Sequence, residues 1–201
     1  MKNQFYRANQ LLLGWGFVGV IYHLTDHLQG TGRVITPSWI DEFIPFSANA
    51  IWPYLSFFLI IPLGYFLAPL NAVRWLARAM QIAALGAGTV YLLWPTTLQA
   101  PVDTGHGLTS KLLKGLIAAD STQNCLPSLH VTLTLLAVWA VAKSRQSFTT
   151  WVLMLWGFVI AFSILQLKRH LFIDLIGGVV LAWIAGALAQ RLTHKKELSG
   201  E

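Results

Sequence analysis

Two short runs in the 201-residue chain bring together side chains able to move a phosphoryl group: Pro127-Ser128-Leu129-His130 and Lys168-Arg169-His170-Leu171-Phe172-Ile173-Asp174. His170 and Asp174 are four residues apart at the start of an apolar stretch, so on a helix their side chains share one face. A carboxylate bonded to one imidazole nitrogen orients the ring and raises the basicity of the other, which makes a nucleophilic histidine. The same pair could equally tie two helices together, and spacing does not separate the two roles. Asp174 falls among apolar residues, where an unpaired carboxylate is expensive, so a nearby partner is expected. In the first run, Pro127 suits the opening turn of a helix. Ser128 and the free N–H groups of that turn could cradle a phosphate, and His130 could protonate a leaving oxygen. A lone histidine at a helix mouth is more often interfacial than catalytic; its pairing with the second run reverses that preference. His130, His170 and Asp174 also form a two-histidine, one-carboxylate set, a known kind of metal site.

These residues must be positioned by elements built for lipid. Hydrophobic residues make up 55% of the chain and charged residues 11%, with mean hydropathy +0.58, whereas a soluble domain carries about 25% charged residues. Residues 1–201 are read as one integral membrane domain. The net charge of +6 does not indicate nucleic acid, because the lysines and arginines are scattered in ones and twos between apolar runs. Cys125 is the single cysteine, which excludes an intrachain disulfide and a cysteine-based metal cluster. Lys2 and Arg7 precede an apolar stretch as in a signal peptide, but no small-x-small cleavage site precedes His23, so the segment is read as a retained first helix.

Six apolar segments are expected to span the bilayer: 11–28, 51–70, 75–94, 128–142, 151–167 and 171–192. With the N-terminus inside, the cytoplasmic loops hold Lys2, Arg7, Arg74, Arg78, Lys143, Arg145, Arg191, Lys195 and Lys196; the opposite face holds Arg33, Lys111, Lys114, Lys168 and Arg169. This excess inside predicts an all-α polytopic bundle with both termini cytoplasmic. Both histidine runs then open on the outer face. In the long connection between the third and fourth segments, Leu108, Leu112, Leu113, Leu116 and Ile117 recur at helical spacing beside Lys111 and Lys114. That pattern predicts a short interfacial helix, which would cover the bundle or guide a lipid. Tryptophans near segment ends, such as Trp52, Trp94 and Trp151, are read as interfacial anchors.

The two runs together resemble the type 2 phosphatidic acid phosphatase superfamily of integral membrane phosphatases and phosphotransferases. Its Pro-Ser-x-His motif matches Pro127-Ser128-Leu129-His130, and its Ser-Arg-x5-His-x3-Asp motif matches Ser163, His170 and Asp174. Leu129, the runs Ile44-Pro45-Phe46 and Ile51-Trp52-Pro53-Tyr54, and the continuation Asp174-Leu175-Ile176-Gly177-Gly178 look most like the branch of inositol phosphorylceramide synthases; the likeness covers about residues 40–185. The resemblance implies that His170 attacks phosphorus, Asp174 orients it, His130 protonates the departing alkoxide and Ser128 helps hold the phosphate. It also implies metal-independent catalysis without a cofactor on a lipid phosphate monoester or pyrophosphate. The expected location is a bacterial inner membrane with the site on the periplasmic face. Water as acceptor gives a phosphatase; an alcohol acceptor gives a phosphotransferase. A transporter or lipid-binding protein is the non-catalytic alternative. The chain departs from the family pattern at Ile164, in place of the arginine after the serine, and at Ala87 and Trp94-Pro95, in place of the lysine and arginine of the first motif. Replacement cations are expected among Arg169, Lys168, Lys111 and Lys114, each of which could also simply snorkel to the interface.

Overall fold

The computed structural model describes residues 1–99, 101–144 and 147–199. Arg145 and the side chains of Lys195 and Lys196, used in the loop count above, lie outside the described part. The chain begins with α1 (Lys2–Leu11), a wide π-helical turn (Leu12–Gly16) and α2 (Phe17–Leu28), which run on as one helix. The short α3 (Trp39–Phe43) follows, opened by a capping box between Ser38 and Asp41. A 3-10 turn (Ala48–Ala50), α4 (Ile51–Leu55) and α5 (Phe57–Leu67) form the next stretch, and α6 (Leu70–Leu93) starts directly after Pro69. After a long connection with α7 (Leu108–Ala119) come α8 (Leu129–Ala142), α9 (Ser147–Gln166) and α10 (Phe172–Ser199).

Helices occupy all six expected stretches. Four of them are long and apolar enough to cross a membrane: Ala48–Leu67, Leu70–Leu93, Phe148–Gln166 and Phe172–Thr193. The first helix, with Lys2 and Arg7 at one end and Asp26 at the other, and α8, with 14 residues, are not among those four. The outward faces of α9 and α10 are apolar, with Trp151, Leu155, Phe158, Val179 and Trp183 exposed, which is the inverse of a water-facing helix. Helix α8 is different: it packs against α5, α6, α9 and α10, and ten of its 14 residues are buried. Small residues let the neighbours close on it. A Cβ on Gly64 of α5 would stand 2.6 Å from Ala137 Cβ, and one on Gly178 of α10 would stand 2.6 Å from the Ser128 carbonyl oxygen.

The fold departs from the all-α expectation at one place. Arg33–Val34 (β1) and Thr96–Thr97 (β2) pair in parallel and fasten the two long connections to each other. Two residues per strand are too few to show the period-two pattern that reveals a strand in sequence. Cations gather at the opposite end of the bundle: Arg7 donates to the carbonyls of Tyr65 and Ala68 that end α5, and Lys143 donates to Gln190 at 2.7 Å.

Candidate active site

The sharp connection between α9 and α10 presents His170. Lys168 turns the chain with a left-handed φ of 53°, and the N–H groups of Lys168 and Arg169 still bond back to Leu165 and Ile164 at 3.0 and 3.2 Å. His170 is thereby buried at this end of the bundle, 6% exposed, two residues before α10 begins. Asp174, fully buried in the first turn of α10, approaches it with Oδ2 3.4 Å from His170 Nδ1. That is ion-pair range and longer than a good hydrogen bond. The same Oδ2 accepts the Leu171 N–H at 2.8 Å, and the backbone carbonyl of Asp174 accepts the Ser128 N–H at 3.0 Å. The two histidine runs are thus stitched together through Asp174.

Ser128 is the N-cap of α8, so Pro127 precedes the helix instead of sitting in its first turn as the sequence suggested. The cap residue keeps its hydroxyl free: Ser128 Oγ is buried and has no partner. Its carbonyl and that of Gly178 both accept the Thr132 hydroxyl at 2.9 Å, while Tyr91 donates to the Pro127 carbonyl at 2.7 Å. His130, the second residue of α8, is packed against Tyr54 and Phe57 at ring-centroid distances of 4.8 and 4.5 Å. Its centroid lies 6.0 Å from that of His170. Buried atoms without a hydrogen-bond partner include Ser128 Oγ, Asp174 Oδ1, Arg169 Nε and His170 Nδ1, the last held only by the longer ion pair to Asp174. Buried polar groups in folded proteins are overwhelmingly satisfied, so such a cluster marks a place adapted to a polar ligand.

The four candidate cations have different fates. Arg169 reaches the site region, where Nη2 bonds Asp120 Oδ2 at 3.0 Å and the Ser121 carbonyl at 2.9 Å. Lys168 is spent on structure: its ammonium donates to the carbonyls of Asp41 and Ile44 and ties α3 to the loop. Asp41 completes that tie by accepting the Phe172 N–H at 2.7 Å, at the first residue of α10. Lys111 and Lys114 project from the exposed side of α7, where Lys114 donates to the Gly105 carbonyl at 3.0 Å. Ile164 and Ala87, at two positions where the family pattern carries a cation, are fully buried, and Ser163 bonds its own helix at the Ile160 carbonyl.

Sequence reasoning missed the residues that surround Arg169. Asp120 accepts from Tyr22 at 2.5 Å, from Tyr54 at 3.3 Å and from Arg169. Burial pushes the Asp120 carboxyl pKa up, but the nearby charges of His130 and Arg169 outweigh it and hold the carboxyl below its ordinary value. Tyr22, Tyr54, Phe57, Asp120 and His130 line one end of a mainly apolar cavity of about 230 Å³, whose other walls include Trp15 and Leu116. Nothing in the local pattern around Asp120 signals this role, since its partners are remote in sequence. Among the described residues, no group of three or more His, Cys, Asp or Glu side chains is spaced to hold a metal ion.

The helix bundle thus brings a His–carboxylate pair, a second histidine and a buried serine hydroxyl together at one end. The chain belongs to the PAP2 superfamily, whose family model matches residues 39–188. No curated protein and no solved structure is significantly similar to it. The protein is therefore an integral membrane protein of a superfamily with phosphatase-type chemistry.

Proposed function

We propose that the protein cleaves the phosphate ester of a membrane lipid through a phosphohistidine on His170. The observation that carries this reading is the buried meeting of His170, Asp174, His130 and Ser128. Asp174 holds the Nδ1 side of the His170 ring at 3.4 Å, which leaves Nε2 as the nucleophile. The Nε2–phosphorus bond forms as the bond from phosphorus to the departing lipid oxygen breaks, and His130 supplies that oxygen with a proton. His130, then neutral, takes a proton from the acceptor that resolves the intermediate. Ser128 Oγ and the N–H groups of the first turn of α8 serve the phosphoryl oxygens. Water as acceptor makes the enzyme a lipid phosphatase. Transfer to an alcohol, as in the inositol phosphorylceramide synthase branch, is the second reading, and the loss of cations at positions 164 and 87 supports it. The apolar cavity beside His130 suits a lipid chain, which disfavours an ion path.

Six helices crossing the bilayer with both termini cytoplasmic accord with the cations at the end formed by Arg7, Lys143 and the end of α5. This puts the histidines at the outer face, periplasmic in a bacterial inner membrane, with α7 as an interfacial helix roofing the cavity. The test is purified protein in detergent assayed against a panel of lipid phosphates, with and without alcohol acceptors, following free phosphate and lipid products together. Turnover is expected, and His170→Ala is expected to abolish it with the fold retained. A folded His170→Ala protein that remains active refutes the phosphohistidine.

A further inference from the structure

We infer that Asp120, by holding Arg169 in an ion pair, sets the charge that the site presents to phosphorus and selects a singly charged phosphodiester over a doubly charged phosphomonoester. The inference rests on the proposed phosphoryl chemistry and names the substrate class that this site accepts. Its basis is a charge inventory. Among the residues lining the cavity that holds His130, Asp120 is the one carboxylate, and no lysine or arginine lines it. Arg169 faces that carboxylate at 3.0 Å, with side-chain exposures of 8% and 16%, so the pair is shielded from water and formally neutral. The remaining groups facing Asp120 are Tyr22 from α2, Tyr54 from α4 and His130 from α8. Lys168 is committed to two carbonyls and shares its own cavity with Asp41 and Glu42. Lys111 and Lys114 are exposed on α7.

A phosphomonoester carries close to two negative charges above its second ionisation near pH 6, and a diester carries one. A site whose nearest guanidinium is already neutralised gains little from the second charge and must still strip its water. The diester reaction balances with the groups present. His170 Nε2 bonds to phosphorus, one ester oxygen leaves with the proton from His130, and the other ester oxygen stays on the phosphoryl group until an acceptor hydroxyl, deprotonated by His130, displaces the histidine.

The experiment compares phosphatidic acid with its methyl phosphodiester at pH 8, two lipids with the same tails that differ by one charge, with loss of starting lipid as readout. Wild type is expected to show the higher kcat/KM on the methyl ester; faster turnover of phosphatidic acid overturns the inference without any variant. Asp120→Asn leaves Arg169 unneutralised. It is expected to shift the ratio of the two kcat/KM values about tenfold toward phosphatidic acid, the scale that one partly screened unit charge implies at this range. Asp120→Glu, which keeps the charge, is expected to keep the wild-type ratio. An unchanged ratio in Asp120→Asn overturns the inference, and so does an equal shift in Asp120→Glu, since packing then explains it. Equilibrium titration with inorganic phosphate reads the same charge without turnover: about tenfold tighter binding by Asp120→Asn is expected, and equal affinities overturn the inference even if the variant is inactive. Failure of wild type to consume either lipid, or full activity in His170→Ala, brings down the phosphohistidine reading instead, and the phosphate titration still decides the role of Asp120.

Discussion

Replacing Asp174 by asparagine isolates the charge that the proposed mechanism needs from the hydrogen bond that the fold needs. The Asp174 Oδ2 atom accepts the Leu171 N–H at 2.8 Å, and an asparagine carbonyl oxygen can take over that bond. Oδ1 has no partner, so a neutral amide removes a buried, half-satisfied carboxylate, and the melting temperature is expected to hold or rise. The imidazole of His170 gains positive character as its Nε2 bonds phosphorus. A full unit charge 3.4 Å from the carboxylate is worth about 5 kcal/mol at an effective dielectric near 20, and a half-developed charge about 2.5 kcal/mol. The rate constant is therefore expected to fall between about 60-fold and 4,000-fold. The assay is the initial rate at saturating lipid in detergent, beside a thermal melt and acid-labile phosphate trapped on the protein. A variant that melts like wild type and keeps kcat within about threefold refutes the role of Asp174 as the group that stabilises charge on His170.

Gly178→Ala would put a Cβ 2.6 Å from the Ser128 carbonyl oxygen and 3.1 Å from Val131 Cβ, so α10 must move off α8; a loss of about 1–3 kcal/mol and a larger loss of activity are expected, read by melt and kcat. Ser128→Ala removes a hydroxyl with no partner in the fold; the melt should be unchanged while kcat/KM falls about tenfold, the scale of one lost phosphate donor. A strong chelator should leave turnover unchanged; loss restored by a divalent cation would replace the phosphohistidine reading with a metal one. Asp120 is held below its ordinary pKa of 3.8, so the unfolded chain takes up this proton first on acidification. The stability it contributes is complete above about pH 4 and lost as pH falls through the folded value. Asp120→Asn should therefore blunt the drop in melting temperature below pH 4, and an unchanged acid profile argues against a charged Asp120 in the fold.

The parts of the site carried by local spacing were legible in the sequence. His170 and Asp174 are four residues apart, and although His170 lies two residues before α10 instead of on it, an aspartate inside an apolar run needs a partner whatever the fold. Hydropathy likewise located the helices, because their outer faces are apolar. What could not be read depends on contacts between distant elements. Tyr22 and Asp120 are 98 residues apart, Tyr54 and Asp120 66 apart, and none of the three lies in a pattern with its own chemistry. Lys168 was a reasonable phosphate ligand by position. Its actual partners are backbone carbonyls, which any sequence supplies everywhere and which no motif can announce. Arg169 adjoins His170 in sequence, yet its guanidinium goes to Asp120, because consecutive residues in a tight turn point in different directions.

The shortness of α8 is the feature that links the fold to the chemistry. Its 14 residues rise about 21 Å, against a hydrocarbon core of about 30 Å. A lipid-facing helix of that length would leave unsatisfied groups at one end in hydrocarbon, at several kcal/mol each. Here α5, α6, α9 and α10 enclose it, and its N-terminal neighbourhood is supplied with partners from Asp174, Gly178, Tyr91 and Thr96. Ser128 and His130 can therefore sit at the mouth of a helix that stops short. Protein, not lipid, surrounds their polar atoms, while the cavity between α2, α4 and α7 reaches His130 from the side. In the proposed reading, a substrate with an apolar chain lies in that cavity and brings its phosphate to the histidines without passing through water. The same enclosure explains the small residues around α8. A methyl added at Gly178 would meet the Ser128 carbonyl oxygen and push α10 away from the start of α8, so the packing of this one helix and the spacing of the two histidines are a single constraint.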